Sequence, residues 1–267
     1  MKTIAVIGAG ALAKFFCTQS QRLLADDYRI VAVMARNPEH AKALAQTLDA
    51  DACTSIDELL SGFPDIVVEF AGRDAVKEYA LPVLEHGSDL IIASIGALAD
   101  DEFRHNLTEY AQKNHRKVYI PNGAIGALDL MQTFALMGKA EVQIGNRKAP
   151  KSLEGAPYLK GKTLPTDHEQ IIFTGSVPEA IEGFPKNVNV AVAAALATHS
   201  LKNATVQITS DPNTTENIHH IIMKNRLMRA ELTVAGRPDP ANPKSSTSTA
   251  WSVVALLKNL SSPIEFF

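Results

Sequence analysis

The chain has 267 residues, 46% of them apolar and 21% charged, which at roughly 150 residues per domain provides a core and a solvated surface for one or two domains. Its 26 basic and 29 acidic residues leave a net charge of −3, so no basic excess remains to neutralise the phosphates of a nucleic acid. Two cysteines, Cys17 and Cys53, make neither a disulfide framework nor a metal cluster, and no apolar run approaches the ~20 residues of a bilayer span, so the reading is a cytoplasmic protein with no membrane partner.

Lys2, the apolar stretch from Thr3 and Ala11-Leu12-Ala13 imitate a secretory signal with an A-x-A site. The stronger reading is a buried strand, Thr3–Ile7, running into a glycine turn and a helix, because the residues up to Ile120 continue that fold. Further strand-length apolar runs occupy Arg29–Ala35, Ile66–Phe70, Leu90–Ser94 and Lys117–Ile120. Helical spacing fills Pro38–Leu48, Asp74–Glu85 and Asp101–Asn114 between them. Ser55-Ile56-Asp57-Glu58 reads as a helix start, with Ser55 as cap and Glu58 reaching back. Strands apolar on both faces and separated by helices predict a parallel sheet covered on both sides.

The pattern changes after Pro121. Gly123, Gly126, Gly138 and Gly145 punctuate a region whose strands have polar interleaving: Ala140–Asn146, Glu169–Ser176, Ala204–Ser210, Ile218–Lys224 and Leu227–Val234. An alanine-rich helix is predicted at Pro185–Ala197, giving an α+β unit on a largely antiparallel sheet. Gly236–Pro240 marks a loop, and Ser246–Leu260 reads as an apolar helix. That helix follows a loop rather than a new strand, so it is predicted to pack back on the first domain. The domains are then residues 1–120 with 244–267, and residues 121–243.

Gly8-Ala9-Gly10-Ala11-Leu12-Ala13 is a G-x-G-x-x-A turn directly after a strand and before a helix. Its glycines permit a tight turn and close backbone approach to a pyrophosphate, making Gly8, Gly10, Ala11 and Leu12 candidate contacts of a dinucleotide; the alternative is a glycine turn without ligand. The second strand ends in Met34-Ala35-Arg36-Asn37, with no carboxylate before Glu39 to bind the ribose of NAD. Arg36 is therefore either a partner for a 2′-phosphate or a solvated surface residue, and the cofactor is NAD or NADP.

Among the histidines of the second half, His168 lies in a charged loop and His199 near a helix end, where surface roles are the default. His219 and His220 are neighbours on a strand and must face opposite sides. An imidazole that titrates near neutrality suits the proton transfers of an amine–imine–ketone conversion, and from spacing either histidine qualifies. In Phe184-Pro185-Lys186-Asn187-Val188-Asn189 the asparagines either cap a helix or bind a ligand amide, while Lys186 can attract a carboxylate. Asn242-Pro243-Lys244-Ser245-Ser246 opens the last helix in the same manner. No residues stand at metal-ligand spacing.

Taken together these segments resemble the L-aspartate dehydrogenase family over nearly the whole chain. The resemblance is carried by Gly8–Ala13, Ser94–Asp100, Pro121–Asp129, Phe184–Asn189, Asn217-Ile218-His219 and Pro240–Lys244. It implies a Rossmann-type nucleotide domain plus a substrate domain, assembled as a homodimer. It implies that His219 is catalytic and that Ala124 and Asn189 contact the cofactor. The remaining substrate-binding candidates are Lys186, Asn187, His220 and Lys244, for L-aspartate/oxaloacetate and ammonia. The implied reaction is NAD(P)-dependent deamination through an imine, with the imine as a feed for nicotinamide synthesis. Ser248, where a more apolar residue is expected, and the missing acidic ribose ligand depart from the family pattern. Another imine reductase of the same architecture and a non-catalytic NAD(P) sensor remain as rivals, since fold alone does not fix function.

Overall fold

The computed structural model describes residues 1–185, 187–237 and 247–266. Its first half alternates β1 (Lys2–Ile7), α1 (Ala11–Leu23), β2 (Tyr28–Met34), α2 (Pro38–Gln46), β3 (Asp51–Cys53), α3 (Ile56–Leu60), β4 (Ile66–Glu69), α4 (Arg73–Glu85), β5 (Asp89–Ile92), a 3₁₀ turn (Ile95–Ala99), α5 (Asp101–Lys113) and β6 (Val118–Tyr119). The strands lie in the order β3-β2-β1-β4-β5-β6, every neighbouring pair parallel. Ile4, Ala5 and Val6 of β1 are inaccessible on both faces, which is why this strand reads as a continuous apolar run. The order reverses between β1 and β4, creating the switch point at which sheets of this kind bind ligands.

Side-chain caps set where several helices begin. Asn37 accepts from the Glu39 N–H and Pro38 opens α2. Ser55 caps α3 through the Glu58 N–H, but the Glu58 carboxylate reaches one residue further back than expected, to the N–H and hydroxyl of Thr54 at 2.7 and 2.9 Å. The three-residue β3 escapes a hydrophobicity reading because only Cys53 in it is buried.

The second half contains α6 (Leu128–Leu136), β7 (Glu141–Lys148), α7 (Pro150–Leu153), β8 (Gln170–Ser176), α8 (Val177–Gly183), α9 (Asn189–Ala197), β9 (Thr205–Ser210), β10 (Asn217–Lys224) and β11 (Arg229–Gly236), and the chain closes with α10 (Ser248–Ser261). Its sheet has the order β11-β10-β7-β9-β8. The β7–β9 pair is parallel and the other three pairs are antiparallel. Helix α6 was not legible because Leu136, 85% exposed, shares the outer face of Asp129, Gln132 and Thr133 and blurs its period. The predicted alanine-rich helix begins later than its proline suggests, at Asn189, and is preceded by α8, which a Ser176/Glu179 capping box starts.

The structure divides into two compact units, Met1–Gly123 with Thr249–Phe267, and Ala124–Ser248. Within the first, α10 places Ala250, Val253, Val254 and Leu257 in the cluster that holds Ile4, Val6, Phe16 and Tyr28, an i, i+3, i+4, i+7 stripe. The Tyr28 hydroxyl donates to the Leu257 carbonyl at 3.0 Å, and Trp251 meets Phe15 edge-on at 5.4 Å between ring centres.

Candidate active site

In the first unit the turn after β1 is held from both sides. Gly8 N–H donates to the Met34 carbonyl at 2.7 Å, and Phe70 N–H donates to the Ile7 carbonyl at 2.8 Å. This draws the end of β4 so close that a Cβ on Gly8 would stand 3.0 Å from the Phe70 carbonyl carbon, and Gly8 has a φ of +121°. Both conditions require glycine. Gly10 differs: nothing lies within 4 Å of the position its Cβ would take. It forms the N-cap of α1 without a side-chain hydrogen bond, and the first turn carries no acidic residue. The first N–H groups of α1 thus keep their full attraction for an anion, and the cradle fits a dinucleotide pyrophosphate. Ala13, inaccessible to solvent, lets α1 pack closely on the sheet, while Ala11 and Leu12 are half-buried. Arg36 is exposed beyond the end of β2.

Glu69, which the sequence reading passed over as part of an apolar strand, is 1% exposed. Its Oε1 accepts from the Ala71 and Gly72 N–H groups at 2.6 and 2.7 Å and from the Ser94 hydroxyl at 2.9 Å. Its Oε2 accepts from the Ser94 N–H at 3.0 Å. Burial holds the carboxyl above the ordinary glutamate range against the opposing pull of these donors. Glu69 therefore ties the turn entering α4 to the loop leaving β5, both at the carboxyl edge of the parallel sheet.

In the second unit the chemistry collects on one face of the mixed sheet. Along β7 this face carries Val142, Ile144, Asn146 and Lys148, all buried, so it is apolar at one end and polar at the other. His219 on β10 lies opposite Asn146, and Ser210 on β9 lies opposite Lys148. His219, 5% exposed, donates from Nδ1 to Asn146 Oδ1 at 2.6 Å, which leaves the Nε2 lone pair as a base. Burial and the neighbouring Lys148 charge push the imidazole down to about 3, so it is not poised near neutrality as an isolated histidine would be. Lys148 Nζ donates to Asn187 Oδ1 at 3.1 Å.

The predicted residues fare differently. Asn187 is engaged with Lys148 and does not cap α9, whose N-cap is Val188 without a side-chain hydrogen bond. His220 faces away from His219 and is hydrogen-bonded to Thr233 Oγ1 at 2.7 Å, so the structure does not bring it to the His219 cluster. Asn189 is the exposed first residue of α9, and Ala124 is half-buried in the turn after Gly123. His168 and His199 are exposed. Lys186 and Lys244, with the rest of Pro240–Lys244, lie outside the described residues. Asn146 and Lys148 were missed: the predicted strand stopped at Asn146, and only an extension of its alternation places Lys148 on the inner face. Among the described residues no group of three His, Cys, Asp or Glu could hold a metal, and no helix is long and apolar enough to cross a membrane.

Two families match the chain: "Homoserine dehydrogenase, NAD binding domain" over residues 8–121 and "Aspartate dehydrogenase, C-terminal" over residues 129–260. The L-aspartate dehydrogenase of Methanococcus maripaludis strain C6 is 37% identical over 270 residues, covering 99% of this chain and 98% of that protein. That of Methanospirillum hungatei is 36% identical over 264 residues, with the same coverage. The crystal structure of aspartate dehydrogenase from Thermotoga maritima superposes with a TM-score of 0.75 at 27% identity, covering 100% of both chains. The chain belongs to the L-aspartate dehydrogenase family.

Proposed function

We propose that the protein oxidises L-aspartate with NAD(P)+ and water to oxaloacetate, ammonium, NAD(P)H and a proton. Its class is that of its family, an NAD(P)-dependent amino-acid dehydrogenase. The observation that carries the substrate is the likeness to L-aspartate dehydrogenases over 99% of the chain. The His219–Asn146 pair supplies the base that such chemistry needs.

A bound nicotinamide would supply the hydride acceptor for the substrate α-hydrogen. Gly8, Gly10, Ala11 and Leu12 would hold the pyrophosphate, Arg36 the adenosine ribose or its 2′-phosphate, and Ala124 and Asn189 further parts of the dinucleotide. Asn146 fixes the tautomer of His219, so that Nε2 accepts a proton from the water adding at the α-carbon. His219 then returns a proton to the departing amine. In this reading the first unit is the nucleotide domain and Ala124–Ser248 the substrate domain. The protein works in the cytoplasm as a homodimer, a state supported by the half-exposed Ile218 and Ile222 on the outer face of the second sheet.

The test is NAD(P)H formation by the purified protein with L-aspartate and each nucleotide, with oxaloacetate and ammonium quantified. Turnover with another amino acid but not with aspartate overturns the substrate. Nucleotide binding without any turnover overturns the enzyme reading.

A further inference from the structure

The polar end of the covered face in the second unit has more hydrogen-bonding capacity than the fold uses. Lys148 is 5% exposed, Asn146 2% and Ser210 inaccessible. The Asn146 Nδ2 and the Ser210 Oγ are buried without any partner. Lys148 has three donors, and Asn187 Oδ1 is the acceptor found for it. No carboxylate among the described residues pairs with it. The ionisable groups around it are His219 on β10 and Asp211 at the end of β9. The Asp211 carboxylate is committed to Arg147 at 3.8 Å and the Asn213 N–H at 2.9 Å.

A buried cation and two buried donors without acceptors are each unfavourable alone, and here they lie side by side. Ser210 is the cross-strand neighbour of Lys148, on a strand about 4.8 Å away. Asn146 is two residues back on the same face, about 7 Å along the strand. One group satisfies all three: an anion with several acceptor lone pairs, which a carboxylate provides.

We propose that Lys148, with the Asn146 amide and the Ser210 hydroxyl, is the subsite that anchors a carboxylate of the substrate beside His219. The assignment rests on the reading of the protein as an aspartate dehydrogenase and names the residues that recognise the acid. The positive charge has a second effect. With burial, it keeps His219 neutral until an anion arrives, and a bound carboxylate that offsets the Lys148 charge raises the basicity of the imidazole that must act on it.

The experiment is calorimetric titration of the NAD(P)+-loaded protein with succinate, a dicarboxylate without an amine to oxidise, alongside steady-state kinetics with L-aspartate. Lys148→Met should weaken succinate binding and raise the aspartate KM by about 10- to 100-fold, the loss of one charge-assisted hydrogen bond. kcat should fall less, NAD(P)+ affinity should hold, and Tm should stay level or rise because an unpaired buried charge is gone. In the wild type, burial brings the Lys148 ammonium down to about 8, so succinate affinity should fall about tenfold per unit above that pH. Lys148→Arg, whose guanidinium does not titrate there, should lose that pH dependence. Succinate binding unchanged in Lys148→Met, a loss of NAD(P)+ affinity instead, or a wild type that binds no succinate overturns the proposal. The binding arm needs no turnover: a wild type that binds succinate through Lys148 but leaves aspartate unoxidised would overturn the activity and keep the subsite.

Discussion

A histidine held neutral by its surroundings behaves differently from the free imidazole that the sequence suggests. Folding lowers the His219 imidazole to about 3 from its ordinary value of 6.5. Between these values the unfolded chain binds a proton that the folded protein does not, so stability falls as pH drops, by up to ~1.36 kcal/mol per unit. Urea titrations of the wild type from pH 6.5 to 4.5 should show this slope, and His219→Asn should flatten it. The ring resonances of His219 should not move between pH 5 and 8 in the unliganded protein; a midpoint near 6.5 would contradict the burial argument. In catalysis, His219→Asn should lower kcat by ~10²–10⁴-fold, or about 2.7–5.5 kcal/mol, with NAD(P) binding nearly intact. His220→Ala should do far less, because its imidazole serves Thr233 on the opposite face. At the other half of the chemistry, Arg36 is exposed at the end of β2, free to meet a 2′-phosphate. Arg36→Ala should lower the NADP/NAD ratio of kcat/KM, and an unchanged ratio would make it a surface residue only.

At the scale of elements, the loops at the carboxyl edge of the parallel sheet depend on one carboxylate. Replacing Glu69 by Gln exchanges one oxygen for an NH2. If that group faces the Ser94 N–H, two donors meet; if it faces Ala71 and Gly72, two bonds are lost. Either way a buried hydrogen bond fails, and Glu69→Gln should cost about 1–3 kcal/mol in denaturant unfolding. A stability equal to wild type would show that water replaces the lost partner. Such residues also mark where sequence reading stops. The parallel strands other than β3, with α2, α4, α5 and the fingerprint turn, were legible because apolar periodicity and glycine position are local signals. Glu69, Asn146 and Lys148 were not, since each is a polar residue on a face that burial predicts to be apolar, and each has a partner distant in sequence: Ser94 for Glu69, His219 for Asn146 and Asn187 for Lys148. His219 was selected by motif, whereas its depressed basicity arises from burial in the folded sheet and from the charge of Lys148, 71 positions away in the sequence. In α6 the obstacle is the reverse, an apolar residue, Leu136, on the exposed polar face.

At the scale of the molecule, one unit is a single stretch of chain and the other needs both ends. Helix α10 buries Val253, Val254 and Leu257 against β1, α1 and β2 residues, and at ~1.5–3 kcal/mol per fully buried side chain these three contribute about 5–9 kcal/mol as an upper estimate. That approaches the whole stability of a typical domain, ~5–15 kcal/mol. A chain ending at Thr247 should therefore lose cooperative structure in residues 1–123. Residues 124–236 should keep theirs, because α10 belongs to the other compact unit and Phe134, Ile144, Phe184 and Ile221 are buried within this one. Hydrogen exchange separates the two outcomes: amides of β1, β2 and β4 should exchange rapidly in the truncated protein, while those of β7, β9 and β10 remain protected. NAD(P) affinity should fall with the first group, since the Gly8 turn is held by the ends of β2 and β4. Adding a peptide of residues 247–267 in trans should restore protection and nucleotide binding together, as the Tyr28–Leu257 hydrogen bond and the apolar stripe re-form. Equal protection of β1 and β7 in the truncated chain, with nucleotide affinity intact, would show that α10 covers the sheet without holding it together.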